Sequence, residues 1–304
     1  MPLGTSHVTT TTAATFIPEI WSDEIIAAYK KSLVAANVFK KMSFKGKKGD
    51  TVHIPSPTRG DASLKSASTQ VTLIAATETE VVVNIDKHYE YSRLIEDIAE
   101  VQALSSLRRF YTEDAGYALA KQVDTSLIQL GRGFNGGSGT AAYTGAYIGS
   151  DGTTLYTSGT PNAAALTDAA IRRTIQRLDD NDVPMEGRFF IIPPSARNTL
   201  MGLARYTEQA FVGETGGGNT IRNGEIGNLY GIPVFVSSNA DTATGAARIA
   251  LMGHRDAAVL VEQVGVRSQT QYKQEYLGTL YTADTLYGVK ELRDNSCFAL
   301  AVPA

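Results

Sequence analysis

Residues 93–130 read as one amphipathic helix with almost no interruption, and residues 44–92, directly before it, read as two extended strands joined by a polar tip. Leu94, Ile98, Val101, Leu104, Leu107, Tyr111, Ala115, Ala118, Gln122, Val123, Leu127 and Leu130 step mostly by three or four, which gives one apolar face. At about 1.5 Å per residue such a helix is roughly 55 Å long, nearly twice the diameter of a small domain. Gly116 is its one weak point, and Gly131 and Gly133 end it. Upstream, Thr51-Val52-His53-Ile54-Pro55 alternates apolar with polar residues, and Pro55 and Pro57 forbid helix and suit an edge strand. On the return, Val81, Val83, Ile85, Lys87, Tyr89 and Tyr91 share one face of a predicted strand, while Val82, Asn84, Asp86, His88 and Glu90 share the other. Residues 58–79 between them are rich in Ser, Thr, Ala and Gly, too long a stretch for a structureless loop in a compact domain. Either the stretch is disordered or it reaches another chain. A two-stranded ribbon is marginal alone in water and is stabilised when a neighbour covers it. A compact enzyme has little use for such an arm; a subunit that grips its neighbours does.

At 304 residues the chain makes one large domain or two intertwined ones. Charged residues are 19% and the formal net charge is −3, so no global basic field attracts nucleic acid; if a chain of this balance contains DNA at all, it encloses it and does not hold it tightly. The single cysteine, Cys297, excludes an intrachain disulfide and a cysteine-based zinc cluster, and its apolar run to Val302 predicts a buried strand thiol. Residues 1–15 are Thr-rich and lack the charged and apolar regions of a signal peptide; they read as a flexible arm. No apolar run is long enough for a membrane span, and a reducing cytoplasm is expected.

A short helix is predicted from about Phe16 to Asn37, with Trp21, Ile25, Ile26, Tyr29, Leu33 and Val34 at helical spacing and Trp21 as a packing anchor. Residues 131–161 read as an ordered surface insertion or loop. Thr167-Asp168 caps a predicted helix through Leu178, residues 181–187 turn, and residues 188–194 form a buried strand. Ser195 is expected to cap a helix to about Leu203, and residues 213–219 to form a flexible loop. Turns and short strands follow over 224–237, then strands at 248–251 and 257–266, and the last forty residues are nearly all strand.

Taken in order, several of these segments resemble the major capsid proteins of tailed bacteriophages, whose fold is the Hong Kong 97 type. Ile17-Pro18-Glu19-Ile20-Trp21-Ser22 leading to Gly49-Asp50-Thr51-Val52-His53-Ile54-Pro55 is similar to the base of that family's extended loop, and the long helix to its spine helix. Leu178-Asp179-Asp180-Asn181-Asp182-Val183-Pro184 with Phe189-Phe190-Ile191-Ile192-Pro193-Pro194 resembles an axial-domain helix and strand. Asn228-Leu229-Tyr230-Gly231-Ile232-Pro233-Val234 resembles a recurring strand motif, and Thr285-Leu286-Tyr287-Gly288-Val289-Lys290 the closing peripheral strands. The likeness covers nearly the whole chain. It implies an α+β fold with a flexible N-terminal arm (1–17), an N-terminal helix (18–43), an extended β-hairpin loop (44–92), a peripheral domain with the spine helix (93–160 and 258–304) and an axial domain (161–257). It further implies hexamers and pentamers closing into an icosahedral shell around double-stranded DNA, assembly in the host cytoplasm, residence in the virion, and scaffolding, portal and decoration proteins as partners. No cofactor, membrane or catalytic role is implied. An encapsulin-type shell of a cellular compartment is the alternative on the same fold.

Lys40, Lys41, Lys45, Lys47 and Lys48 form a basic cluster at the arm's base, either a solvated or salt-bridging patch or an inter-subunit contact with acidic groups such as Glu96, Asp97 or Glu100 of a neighbour. Arg59, Asp61 and Lys65 on the arm complete the contact candidates; Arg59-Gly60-Asp61 as an adhesion tripeptide reads as coincidence. The resemblance also raises a cross-link between Lys65 and Asn295, to which the match is loose. The glycine-rich run 131–139 follows a helix and lacks Gly-Lys-Ser/Thr, so it is a helix exit and not a phosphate loop. Asp179-Asp180-Asn181-Asp182 lacks the later Gly and Glu of a calcium loop and reads as a helix-ending turn. His7, His53, His88 and His254 stand in no ligand spacing, and no nucleophile–base pair can be named.

Overall fold

The computed structural model describes residues 33–57, 60–71, 73, 78–97, 107–203 and 227–304. In chain order the first elements are the single turn α1 (Ala35–Val38) and strands β1 (Lys40–Ser43), β2 (Thr51–Pro57), β3 (Glu78–Asn84) and β4 (Lys87–Glu96). Helix α2 (Leu107–Gln129), strand β5 (Tyr147–Ile148), helix α3 (Asp168–Asp180), strand β6 (Arg188–Ile192) and helix α4 (Pro194–Met201) follow. The chain closes with β7 (Asn228–Leu229), β8 (Ile232–Val236), β9 (Arg248–His254), β10 (Ala258–Lys273), β11 (Gly278–Glu291) and β12 (Cys297–Val302).

The strands form three sheets. One has the order β1-β10-β11-β4, a second β5-β12-β9-β6-β8-β7, and β2 and β3 pair as an isolated ribbon. The six-stranded sheet is a central layer with apolar residues on both faces, as the continuous apolar runs of β6, β9 and β12 require. Phe190, Ile192, Met252, Phe298 and Leu300 point to the side covered by α3 and α4. Phe189, Ile191, Leu251 and Ala299 point to the side holding Leu127 and Ile128 of α2. Burying one such Phe or Ile contributes about 1.5–3 kcal/mol. Thr167 caps α3 by accepting the Ala170 N–H at 3.3 Å, as its place before the apolar stripe predicts.

Several expectations are overturned. Residues 93–96 are strand, not the start of the long helix: Arg93, Leu94, Ile95 and Glu96 pair with Tyr281, Leu280, Thr279 and Gly278 of β11. Their spacing fits either period, and a fourteen-residue partner strand decides for extension. The described helix, 23 residues, is about 35 Å long. Ile98, Val101 and Leu104 lie outside the described residues. The stripe that α2 buries is Ala115, Leu119, Asp124, Ser126, Leu127 and Ile128, a mixed set and not a continuous apolar face. The single return strand is two strands on different sheets, broken at Ile85 and Asp86. At the break β11 passes so near that a Cβ on Gly288 would sit 2.3 Å from the Asn84 carbonyl oxygen.

Of the helix expected to end near Asn37, only α1 is helical among the described residues, and Val34 just before it is non-helical at φ −127° and ψ −30°. The stretch 131–161 is mostly irregular and exposed at 138–140, 153–155 and 159–161, as a surface loop is expected to be, but it also sends Phe134, Tyr143, Ala146 and Tyr156 into the core, and β5 pairs in parallel with β12. Pro193, not Ser195, precedes α4, and the Ser195 hydroxyl donates instead to the Pro303 carbonyl at 2.9 Å. The expected loop at 213–219 lies outside the described residues.

Candidate interaction surfaces

The β2–β3 ribbon is fastened at its base and bare at its tip. Val52, Ile54, Val83 and Ile85 pack against Met42, Phe44, Val259 and Val261. The Gln263 side-chain amide donates to the carbonyls of Lys47 and Gly49, each at 2.9 Å. Seven residue pairs carry the ribbon outward from there, Thr51 opposite Asn84 to Pro57 opposite Glu78. At the tip Leu64 is 99% exposed, Leu73 90% and Val71 64%, beside exposed Asp61 and Lys65. Arg59 lies outside the described residues. Exposed aliphatic groups crowded on a projecting polar tip mark a contact surface.

The basic cluster is largely engaged within its own chain. Lys40 pairs with Asp256 at 3.5 Å and Lys45 with Glu262 at 3.4 Å, while the Lys47 ammonium lies 4.9 Å from the Phe44 ring centre. Lys48 and Lys41 are exposed. Such exposed pairs contribute about 0–1 kcal/mol each. The expected acidic partners sit elsewhere. Glu96 stands opposite Gly278, and Asp97 accepts the Tyr272 hydroxyl at 2.8 Å, a bond that raises the pKa of that phenol. From Glu262 to Lys273, β10 spans about 35 Å. One copy therefore cannot bring Lys45, Lys47 or Lys48 to Glu96 or Asp97. Glu100 lies outside the described residues.

The far end of the four-stranded sheet is the second exposed region. One face packs on α2: Ala283 meets Ala115 and Leu119, the Tyr91 hydroxyl donates to Asp114 at 3.1 Å, and the Arg93 guanidinium lies 4.9 Å from the Tyr111 ring centre. The β10–β11 turn presents Tyr272, Tyr276 and Leu277, all about half exposed or more, with Leu277 in the left-handed region at φ 44°. On the sheet, Arg267 grips Asp284 with two bonds of 2.7 and 2.8 Å, and His88 adds a third contact at 3.0 Å. The Arg267 bonds, foremost, hold the Asp284 carboxyl down at about 2. Among the described residues β4 forms one border of this sheet, a ten-residue edge of the kind that takes strand addition.

The motifs weighed for chemistry have structural partners. Asp179 binds Arg188 at 2.7 Å, and Asp182, at φ 53°, turns the chain after α3. In the glycine-rich exit the Gly136 N–H donates to the Asp294 carboxylate, while Arg132 and the Tyr143 hydroxyl converge on Asp241 at 2.7 Å each. Burial pushes the Cys297 thiol well above its ordinary range. Asn295, in the turn before β12, accepts the Asn181 side-chain amide through its carbonyl at 3.4 Å. Among the described residues no three His, Cys, Asp or Glu side chains group as metal ligands, and no helix is long and apolar enough to cross a membrane. The Asp241 cluster and a buried link from Asp124 to Ala35 and Asn239 carry no sequence signal, since their members lie 89 to 115 residues apart.

Comparison with known proteins identifies the family and the fold. No curated relative matches the chain. Among solved structures, one from Mycobacterium phage Che8 is 24% identical with a TM-score of 0.74, covering 94% of this chain and 97% of its own. The capsid of cyanophage P-SCSP1u is 20% identical with a TM-score of 0.77, covering 99% and 96%. The capsid of Ralstonia phage GP4 is 16% identical with a TM-score of 0.66, covering 94% and 95%. The fold is thus the Hong Kong 97 type expected from the ribbon, helix and strand order, and the encapsulin alternative is not favoured. The family described as phage capsid protein matches residues 89–293, from within β4 to the turn before β12 and so across most of both large sheets, and this chain belongs to that family.

Proposed function

We propose that copies of this chain join as hexamers and pentamers into an icosahedral shell around double-stranded DNA, each copy laying its β2–β3 ribbon over the next. The capsid family already makes the chain a structural subunit of an oligomeric shell in the virion. The finer reading rests on one observation: a ribbon anchored at its base ends in Leu64, Val71 and Leu73, exposed side chains that its own body does not cover. Lys45, Lys47, Lys48, Arg59, Asp61, Lys65, Glu96 and Asp97 are the inter-subunit contacts of this reading. The stretch of β10 between the basic and acidic groups, about 35 Å if fully extended, supports a meeting across copies and not within one. In this reading residues 44–92 are the extended loop, 93–160 and 258–304 the peripheral domain and 161–257 the axial domain, with β12 pairing into the axial sheet. Assembly takes place in the host cytoplasm with a scaffolding protein and a portal, and a decoration protein can bind outside. The net charge of −3 supports a shell that surrounds DNA without gripping its sequence. The subunit has no catalytic role.

Deleting residues 59–77 tests the reading. The expected product has wild-type circular dichroism but forms few closed particles in electron micrographs and sedimentation. Normal shells from the deletion would overturn the ribbon's role.

A further inference from the structure

We propose that His254 is an acid-released latch between the two large sheets: neutral, it clasps the turn that joins them; protonated, it draws the Asp256 carboxylate away from Lys40 and so unfastens β1. His254 ends β9 in the six-stranded sheet, residues 255–257 form a short turn, and β10 of the four-stranded sheet begins at Ala258. The ring is buried, and backbone groups meet both of its nitrogens. Nε2 lies 2.8 Å from the Glu186 carbonyl oxygen, which can only accept. Nδ1 lies 3.2 Å from the Asp256 backbone nitrogen, which can only donate. One form satisfies both, a neutral imidazole with its proton on Nε2.

A second proton has to go on Nδ1. The imidazolium then aims an N–H at the Asp256 N–H, and the bond that caps the turn is lost. The ring has little room to swing away, because a Cβ on Gly187 would already stand 3.1 Å from Nε2. Relief lies in the same residue, whose carboxylate oxygen is 3.7 Å from Nδ1. In the neutral form that carboxylate pairs with Lys40 of β1 at 3.5 Å. β1 is four residues long and borders its sheet, with β10 as its strand partner, so one contact is a large share of what fastens it. The other charges nearby are engaged or in water. Arg188, opposite His254 in register, binds Asp179 and the carbonyls of Val183 and Pro184. Glu186 and Arg255 are exposed, as are Arg293 and Asp182 in the cleft beside Asp256, where solvent and salt screen them.

The test uses the full-length chain as unassembled subunits, so its outcome is independent of shell formation. Replacing His7, His53 and His88 by Gln leaves His254 as the sole imidazole for ring-nitrogen NMR. At pH 8 the expected spectrum is the single Nε2–H tautomer; an Nδ1–H or mixed signal overturns the proposal. Amide hydrogen exchange, corrected for its intrinsic pH dependence, is then followed from pH 8 to 5, the range in which imidazoles titrate. Exchange at Asp256 is expected to rise about tenfold, and in β1 severalfold, as local opening becomes easier. His254→Asn keeps a capping acceptor that does not titrate, and is expected to hold both rates level. Level rates in the parent, equal rises in His254→Asn, or a rise at Asp256 without one in β1 overturn the latch. Should His254→Asn fail to fold, Lys40→Met serves: its β1 exchange is expected to be fast at pH 8 and flat below, and a β1 rise equal to the parent's overturns the proposal.

Discussion

Asp124 is a fully buried carboxylate on α2 whose oxygens are met by amides: the Ala35 N–H at 2.7 Å and the Asn239 side-chain amide at 2.9 Å. It ties the entry turn, the helix and the chain after β8 together, so its removal strands two buried donors. Asp124→Ala is expected to destabilise the subunit by about 2–5 kcal/mol in urea unfolding. Asp124→Asn keeps one acceptor and lets Asn239 flip its amide, and its expected cost is about 1 kcal/mol. Equal losses in the two variants would show that packing, not hydrogen bonding, holds this point. Asp284 carries a pH signature. Its folded pKa, near 2, lies below the ordinary value of 3.8, so its stabilisation is present above about pH 4 and is lost as the pH falls toward 2. Thermal scans should show wild type losing more stability than Asp284→Asn across that window. Parallel curves would mean the Arg267 grip adds nothing in solution.

At the scale of elements, what was legible in the sequence is what one period writes on its own. The buried strand at Arg188–Ile192 and the helix capped by Thr167 stand where apolar runs and a capping residue put them. The face shared by Val83, Ile85, Tyr89 and Tyr91 is the more buried face across both β3 and β4. Residues 93–96 were not legible because Leu94 suits a helical step as well as a strand position, and only the remote β11 decides between them. The break at Ile85 was hidden for a related reason: β11 imposes it through the bare backbone of Gly288, 203 positions further on. Gly288→Ala places a methyl against the Asn84 carbonyl and is expected to cost about 1–3 kcal/mol by thermal unfolding. Unchanged stability would show that β3 and β11 can part at little expense. The candidate contacts were half legible: composition marked the lysines, but Glu262 and Asp256 as partners of Lys45 and Lys40 come from folding.

The whole molecule combines a rigid interior with uncovered extremities. Phe190 and Phe298 lie in a sheet covered on both faces, while Leu64, Leu73, Tyr276 and Leu277 wait in solvent. Binding to copies of itself adds stability that the lone subunit lacks. Shells are therefore expected to melt above dissociated subunits, and replacing Leu64 and Leu73 together by Asp should remove much of that gap while leaving the lone subunit's melting temperature in place. A double variant whose shells keep the full gap would count against the tip. Finally, β12 is threaded between β5 and β9, buried at all six positions. While the ribosome is still making a chain, or when a product is cut short before Cys297, β5 and β9 lack the strand that joins them. An incomplete polypeptide therefore cannot finish its core, which ties folding to having made the chain as far as Val302.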